Sequence, residues 1–188
     1  VAHVVSSSQF AKKSEEAGVD AIVAEGFEAG GHNGKDETTT LCLIPNVIEN
    51  TKLPVIAAGG IVSGRSMLAV MALGADAVQI GSRFVASAES SAHINFKKKI
   101  ISLKEGDTQL SLKKLIPVIL IKNDFYNSVQ FAEDKGASQH ELSLLLGKGR
   151  SKQGMFLADI SKGELEIGQA SFMINDIKPA AEILHEIW

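Results

Sequence analysis

Four short apolar segments, each followed by a segment with the spacing of a helix, constrain the fold of this chain most strongly. The apolar segments cover residues 2–5, 20–24, 54–58 and 77–80. Strands that are apolar on both faces are typical of parallel sheets covered by helices. The four segments begin about 20 to 35 residues apart, which is the spacing of βα units in a (β/α) barrel. The sequence therefore predicts an α/β fold of the TIM barrel type.

Amphipathic helices are predicted between these strands, over residues 9–17, 38–50 and 63–73. Ser63 is expected to cap the third helix, and Gly74 to end it. The second helix is supported by an apolar stripe at helical spacing, formed by Leu41, Ile44, Val47 and Ile48.

The pattern changes after residue 105. A complete (β/α) barrel needs about 250 residues, so four strand–helix units in residues 1–105 amount to half a barrel. Residues 106–188 are expected to form a helical appendage that completes or covers the barrel, with helices over 124–135, 139–146 and 179–187. Half a barrel leaves two sheet edges open. We therefore expect either a missing N-terminal half, since the chain begins with Val1 rather than methionine, or a homodimer.

Composition and charge argue against several classes of function. The formal net charge is −3 and no basic stripe is present, so nucleic acid is not an expected partner. The lysines at 97–99 are interpreted as a solvated helix face. Cys42 is the single cysteine, which excludes an intramolecular disulfide and a multi-cysteine metal site, and its apolar neighbours predict a buried thiol. No segment resembles a membrane span or a signal peptide, and we expect a cytoplasmic protein without a metal.

A glycine-rich loop with a histidine follows the second predicted strand. Residues 26–34 contain four glycines together with His32. Strand-end loops are where α/β folds place chemistry, and an imidazole is well suited to proton transfer near neutral pH. The alternative is that the glycines only build a turn and that His32 is solvated. Glu28, in the same loop, is expected either to orient His32 or to cap a helix.

Two further glycine loops follow the third and fourth predicted strands. The first contains Gly59 and Gly60, and the second contains Gly81 and Ser82. In (β/α) barrels the last strand-end loops often bind a phosphate through backbone N–H groups, which glycine leaves accessible. Neither the dinucleotide-binding glycine pattern nor a P-loop is present. The loops therefore predict a phosphate-containing ligand at one edge of the sheet.

Three segments, 24–34, 54–64 and 75–84, resemble the nitronate monooxygenase family, formerly called 2-nitropropane dioxygenases. They are equally similar to the related flavin-dependent enoyl-acyl-carrier-protein reductases. Both groups are FMN-binding (β/α) barrels, and the resemblance is strong over residues 1–105 and weaker beyond. It implies that the chain corresponds to about the last four βα units of a (β/α)8 TIM barrel, followed by a C-terminal appendage.

The resemblance also implies roles for individual residues. His32 matches the active-site histidine beside the reactive edge of the flavin, where it would act as an acid or base. The remaining positions would contact FMN, and they are Glu25, Gly30, Gly31, Gly59, Gly60, Gln79, Ile80, Gly81 and Ser82.

At two positions the sequence departs from the usual pattern of these enzymes, and the choice between the two reactions therefore stays undecided. Position 25 is glutamate, as in the enoyl reductases, whereas nitronate monooxygenases usually carry glutamine. Position 82 is serine where both groups commonly carry threonine, and the hydroxyl donor is kept. The leading hypothesis is oxidation of alkyl nitronates with O₂. The alternatives are reduction of a 2-enoyl thioester with NAD(P)H as the hydride source, and a non-catalytic fragment or binding module.

Overall fold

Seven strands are present in the computed structural model, which describes residues 1–188. They are β1 (Ala2–Val5), β2 (Ala21–Glu25), β3 (Gly31–His32), β4 (Val55–Ala58), β5 (Ala77–Gln79), β6 (Thr108–Ser111) and β7 (Val118–Ile121). The larger sheet has the order β1-β2-β4-β5, and every neighbouring pair is parallel. Four consecutive βα units of a (β/α) barrel adopt this arrangement. The four predicted strands are confirmed, and their bounds agree to within one residue.

All six predicted helices are present among the nine that the chain forms. The helices are α1 (Ser8–Glu16), α2 (Thr40–Ile48), α3 (Gly64–Ala72), α4 (Ser82–Val85), α5 (Ile94–Ile100), α6 (Asp124–Asp134), α7 (Gln139–Leu146), α8 (Arg150–Met155) and α9 (Ala180–Ile187). Ser63 caps α3 as predicted, because its hydroxyl accepts a hydrogen bond from the backbone N–H of Ser66. None of the helices is long and apolar enough to span a membrane.

The first hydrophobic core lies between the parallel sheet and its covering helices. Ile22, Ala24 and Ala57 contribute from the strands, and α2 contributes Ile44 and Val47. The predicted stripe on α2 needs one correction, because Leu41 is exposed and Leu43 is buried in its place. The buried face of α2 therefore includes position 43 instead of position 41, and the other predicted positions are unchanged.

The segment after residue 105 contains strands as well as the predicted helices. β6 and β7 form an antiparallel hairpin, and β3 pairs with the other edge of β7, so that Gly31 lies opposite Ile119 and His32 opposite Val118. The histidine loop is thus tied to the appendage by backbone hydrogen bonds. A polar strand such as β6 has no apolar alternation to reveal it.

A second core joins the barrel part to the appendage. Phe96 and Ile100 of α5 pack with Ile121 of β7 and with Leu165 and Ile167 from the C-terminal segment. Residues on both sides of position 105 therefore share one buried cluster, and the segment after residue 105 packs against the part that contains the parallel sheet.

Two expectations about single residues are wrong. Cys42 is exposed rather than buried, because it lies on the side of α2 opposite the sheet. Lys97 is buried rather than solvated, and its ammonium donates to the carbonyl oxygens of Ala88 at 3.1 Å and Ser90 at 2.8 Å. Those two acceptors make burial of the charge tolerable.

The first strand of the parallel sheet is open to solvent. Ala2, His3 and Val4 of β1 are exposed, and only Val5 is buried. The open edge agrees with the expected geometry of half a barrel, in which the outermost strands lack a neighbour.

Candidate functional site

Eight of the nine predicted cofactor positions line a single cavity of about 230 Å³, which we call the strand-end cavity. These eight are Glu25, Gly30, Gly31, Gly59, Gly60, Gln79, Gly81 and Ser82. They lie at the carboxyl ends of β2, β4 and β5 or in the segments that follow these strands, so the parallel topology brings them to one edge of the sheet. The opposite wall comes from the appendage and includes Met155, Ile167 and Ala170.

Ile80 and His32 are the two predicted site residues that do not line this cavity. Ile80 directly follows β5, is half-buried and packs against the first core instead of facing the cavity. His32 is exposed and lines a neighbouring cavity.

The glycines of the cavity are needed for different reasons. A Cβ atom built on Gly81 would meet no protein atom within 4 Å, so space is free beside that backbone. Gly59 and Gly60 have φ values of +96° and +68°, which side chains rarely adopt. A Cβ on Gly30 would lie 2.4 Å from the backbone nitrogen of Gly168. Gly30 therefore allows the appendage to approach the loop, whereas Gly81 leaves room for something other than protein.

Glu28 caps a helix, which settles the choice that the sequence left open. Its carboxylate accepts from the backbone N–H of Thr40 at 2.9 Å and from the Thr40 hydroxyl at 2.8 Å. The same hydroxyl lies 3.0 Å from the carbonyl oxygen of Gly59. Thr40 thus links the first turn of α2 to two of the glycine loops, and a carboxylate at a helix N-terminus is favourable.

Ser82 contacts the appendage through its side chain. Its hydroxyl oxygen accepts a hydrogen bond from the backbone N–H of Gly168 at 2.9 Å, and the hydroxyl can still donate its hydrogen to a ligand. The next residue, Arg83, is buried and donates to Asp176, both to the carbonyl oxygen at 3.2 Å and to the carboxylate. Arg83 therefore anchors the C-terminal segment through Asp176. Its guanidinium does not line the strand-end cavity.

His32 lines a different cavity from its neighbour Gly31. Gly31 lines the strand-end cavity, and the adjacent His32 lines a second cavity of about 320 Å³. The positive charge that His32 can carry acts on Glu166, because it favours the ionised form of that carboxyl. The imidazole is thus within electrostatic range of a residue of the strand-end cavity.

Two acidic residues of the site were missed by the sequence reasoning. Glu166 lines the strand-end cavity and bridges to Leu120 of β7, while Glu164 lines the second cavity. Burial raises the pKa of both carboxyls, and for Glu164 burial together with the Glu166 charge raises the pKa to about 7. Burial also raises the pKa of Glu25. The available signal was the alternating pair of glutamates between Gly163 and Gly168, which a strand would place on one side.

No group of three or more His, Cys, Asp or Glu side chains in the chain could hold a metal ion. The polar groups of the strand-end cavity include backbone N–H groups, the Gln79 amide, the Ser82 hydroxyl and the half-buried carboxyls of Glu25 and Glu166, while His32 lines the second cavity.

Comparison with known proteins places this geometry in a family. The family model described as nitronate monooxygenase matches residues 1–188. A probable nitronate monooxygenase of Staphylococcus aureus (strain Newman) is 44% identical over 106 residues, which are 52% of this chain and 30% of that protein.

Two solved structures share both the fold and recognisable sequence identity. FabK from Thermotoga maritima is 39% identical with a TM-score of 0.93, and the match covers 100% of this chain and 59% of that one. The nitroalkane oxidase from Streptomyces ansochromogenes is 30% identical with a TM-score of 0.78, covering 99% and 55%. The chain thus spans less than two thirds of the length of each of these relatives. Because the family model covers it from end to end, the chain belongs to the nitronate monooxygenase family.

Proposed function

We propose that this chain supplies the flavin site of an FMN-dependent oxidoreductase that oxidises alkyl nitronates with O₂. The observation that carries the proposal is the convergence of eight predicted cofactor positions, from separate strand-end loops, on one cavity. The match to the nitronate monooxygenase family and to a probable nitronate monooxygenase supports the choice of substrate.

The cavity fits a flavin phosphate in one testable respect. Space beside Gly81 is open, so a phosphate oxygen could approach its backbone N–H without meeting a side chain. Gly60 and Ser82 would contribute a further N–H group and a hydroxyl, and Glu25 and Gly30 would lie against the ring system. FMN would supply the redox chemistry, and the protein would bind, orient and shield it.

His32 would hold or move a proton at the substrate. An imidazole can do so near neutral pH, and efficient proton transfer requires such a matched pKa. His32 is exposed, so a substrate could reach it from solvent.

A second candidate is FabK-like reduction of an enoyl thioester, with NAD(P)H as the hydride source. The glutamate at position 25 favours it, and so does the higher structural similarity to FabK, with a TM-score of 0.93 against 0.78 for the nitroalkane oxidase. His32 would then lie near the thioester, and the same cavity would hold FMN.

Anaerobic reduction of the bound flavin separates the two candidates. The complete natural protein, purified with its flavin, would be mixed with an alkyl nitronate or with NAD(P)H while the absorbance near 450 nm is followed. Rapid bleaching by nitronate, with slow bleaching by NAD(P)H, is the expected result. The reverse order would assign the protein to the enoyl reductases, and bleaching by neither would refute both.

The proposal extends to location and assembly. We place the protein in the cytoplasm with a small-molecule substrate, and we expect the open edge at β1 to be covered either by a longer N-terminal part of the protein or by a second copy. Intact mass of the natural protein tests for the longer N-terminal part, and light scattering tests for the second copy.

A further inference from the structure

The strand-end cavity is lined by acidic side chains of this chain and by no basic one. Its charged lining residues are Glu25, Glu28 and Glu166, and no lysine, arginine or histidine of the chain lines it. The nearby Arg83 of α4 donates to Asp176 instead. A phosphate that binds in this cavity therefore meets three carboxyls and no cation of this chain.

The three carboxyls differ in what stabilises their negative charge. Glu28 accepts hydrogen bonds from the first turn of α2. Burial raises the pKa of Glu166, while the charge of His32 and a hydrogen bond from Ser151 act in the opposite direction. Burial also raises the pKa of the half-buried Glu25, and no hydrogen bond or nearby charge opposes that effect. Glu25 is therefore the carboxyl of the cavity whose ionised form is least compensated.

The elements around Glu25 bring no compensating charge. Glu25 is the last residue of β2 and pairs with Ala58 of β4, a strand whose residues are all apolar. On the other side, the one titratable residue of β1 is His3, which pairs with Ile22, three positions before Glu25. Helix α2, which packs on β2, contains no charged residue. Because Gly59 directly follows Ala58, the uncompensated carboxyl lies at the cavity wall beside one of the glycine loops.

A flavin phosphate would bring further negative charge into this cavity. A phosphate monoester loses its second proton at about pH 6 and carries a charge of about −1.5 to −2 at pH 7. A negative charge nearby disfavours the ionised form of a carboxyl. We propose that FMN binding is coupled to the uptake of one proton by Glu25, so that the protein retains FMN more tightly at low pH than at high pH. This inference rests on the proposed function, because it requires that the cavity binds FMN.

The coupled step is a simple acid–base reaction. A proton from the buffer adds to a carboxylate oxygen of Glu25 when FMN binds, and the proton returns to the buffer when FMN leaves. The dissociation constant of FMN then rises with pH between the pKa of Glu25 in the flavin-free protein and its higher pKa in the loaded protein. Each unit of difference between these two pKa values weakens FMN binding by about 10-fold at high pH.

Release of FMN from the flavin-loaded protein measures this coupling. The complete natural protein and its Glu25→Gln variant would be diluted at pH 5, 6, 7 and 8, and the fluorescence of released FMN gives the dissociation constant. Glutamine has the shape of the neutral carboxyl but cannot ionise. We expect similar affinities at pH 5, and roughly 10-fold weaker binding by the natural protein than by the variant at pH 8. Titration of the FMN phosphate affects both proteins alike and cancels in the comparison.

Glu105→Gln is the matched control. Glu105 is exposed and lines a neighbouring cavity together with Gly60, but it does not line the strand-end cavity. This variant removes the same charge close to a glycine loop, and it should keep the pH dependence of the natural protein because solvent and salt screen an exposed charge. Equal changes in Glu105→Gln and Glu25→Gln would overturn the proposal, since the loss of any nearby negative charge would then have the same effect.

The remaining outcomes separate this inference from the proposed function. The same pH dependence of FMN affinity in the natural protein and in Glu25→Gln would refute proton uptake by Glu25. An equal loss of affinity at every pH in Glu25→Gln would also refute it, because Glu25 would then only contact the flavin. A natural protein that contains no FMN and binds none when it is added would refute the flavin site and this inference together.

Discussion

Replacing Glu164 with glutamine should remove a loss of unfolding free energy that occurs in the natural protein as pH rises. Glu164 is 7% exposed, and burial together with the Glu166 charge raises the pKa of its carboxyl from 4.5 to about 7. Because the folded state favours the neutral form of this carboxyl, its contribution makes unfolding easier as pH rises from about 4.5 to about 7, and that contribution is constant above this range. The full shift corresponds to at most about 3 kcal/mol, and we expect about 1 to 3 kcal/mol because Glu166 shares the effect.

The assay is urea denaturation of the natural protein and of Glu164→Gln at pH 5 and at pH 8. Between pH 5 and pH 8, the change in unfolding free energy of the natural protein should be less favourable than that of the variant by about 1 to 3 kcal/mol, because only the natural protein carries the Glu164 contribution. Carboxyls with a lowered pKa, such as Asp176, change stability in the opposite direction but equally in both proteins, so the comparison cancels them. An identical pH dependence in both proteins would refute the conclusion that folding raises the pKa of the Glu164 carboxyl.

Three further predictions concern residues around the strand-end cavity. Gly30→Ala should destabilise the fold by about 2 kcal/mol or more, because its Cβ would press on the Gly168 backbone and force a shift; a melting temperature equal to that of the natural protein would contradict this. Thr40→Val should cost about 1 to 2 kcal/mol in urea denaturation because a hydroxyl that bridges the glycine loops is lost. Thr39→Val should cost less than half of that, since the Thr39 side chain makes no capping hydrogen bond, and equal losses would refute the bridging role. His32→Ala should keep its flavin while turnover falls by roughly 10²- to 10⁴-fold, and unchanged turnover would show that His32 has no catalytic task.

The parallel sheet and its helices could be predicted from the sequence because the signals are local. Apolar segments such as 54–58 were flanked by turn residues, and the covering helices carried amphipathic spacing. The glycine loops followed directly, since parallel strands place their carboxyl ends at one edge of a sheet. This explains why positions as distant in sequence as Glu25 and Ser82 converge on one cavity.

The missed features depend on contacts between distant segments. β6 is polar and short, and it exists because its backbone pairs with β7 rather than because of any apolar pattern. Lys97 can be buried because its ammonium donates hydrogen bonds to two carbonyl oxygens of the preceding loop. The glutamates at 164 and 166 belong to the site only because the C-terminal segment folds back along β7. The pairing of β6 and the burial of Lys97 leave no periodic signal in the sequence, and the alternating glutamates do not by themselves show that their segment reaches the site.

The central claim is that the glycine loops bind the phosphate of FMN, and flavin retention by Gly81→Val tests it most directly. The new side chain would meet no protein atom within 4 Å at its Cβ, and the φ of Gly81 is −98°, so the fold should tolerate it. The measurement is the ratio of bound flavin to protein after purification of the complete natural protein, with the melting temperature of the flavin-free form as the control. We expect loss of most of the flavin at an unchanged melting temperature, with Gly81→Ala intermediate. Full flavin content in Gly81→Val would contradict the claim.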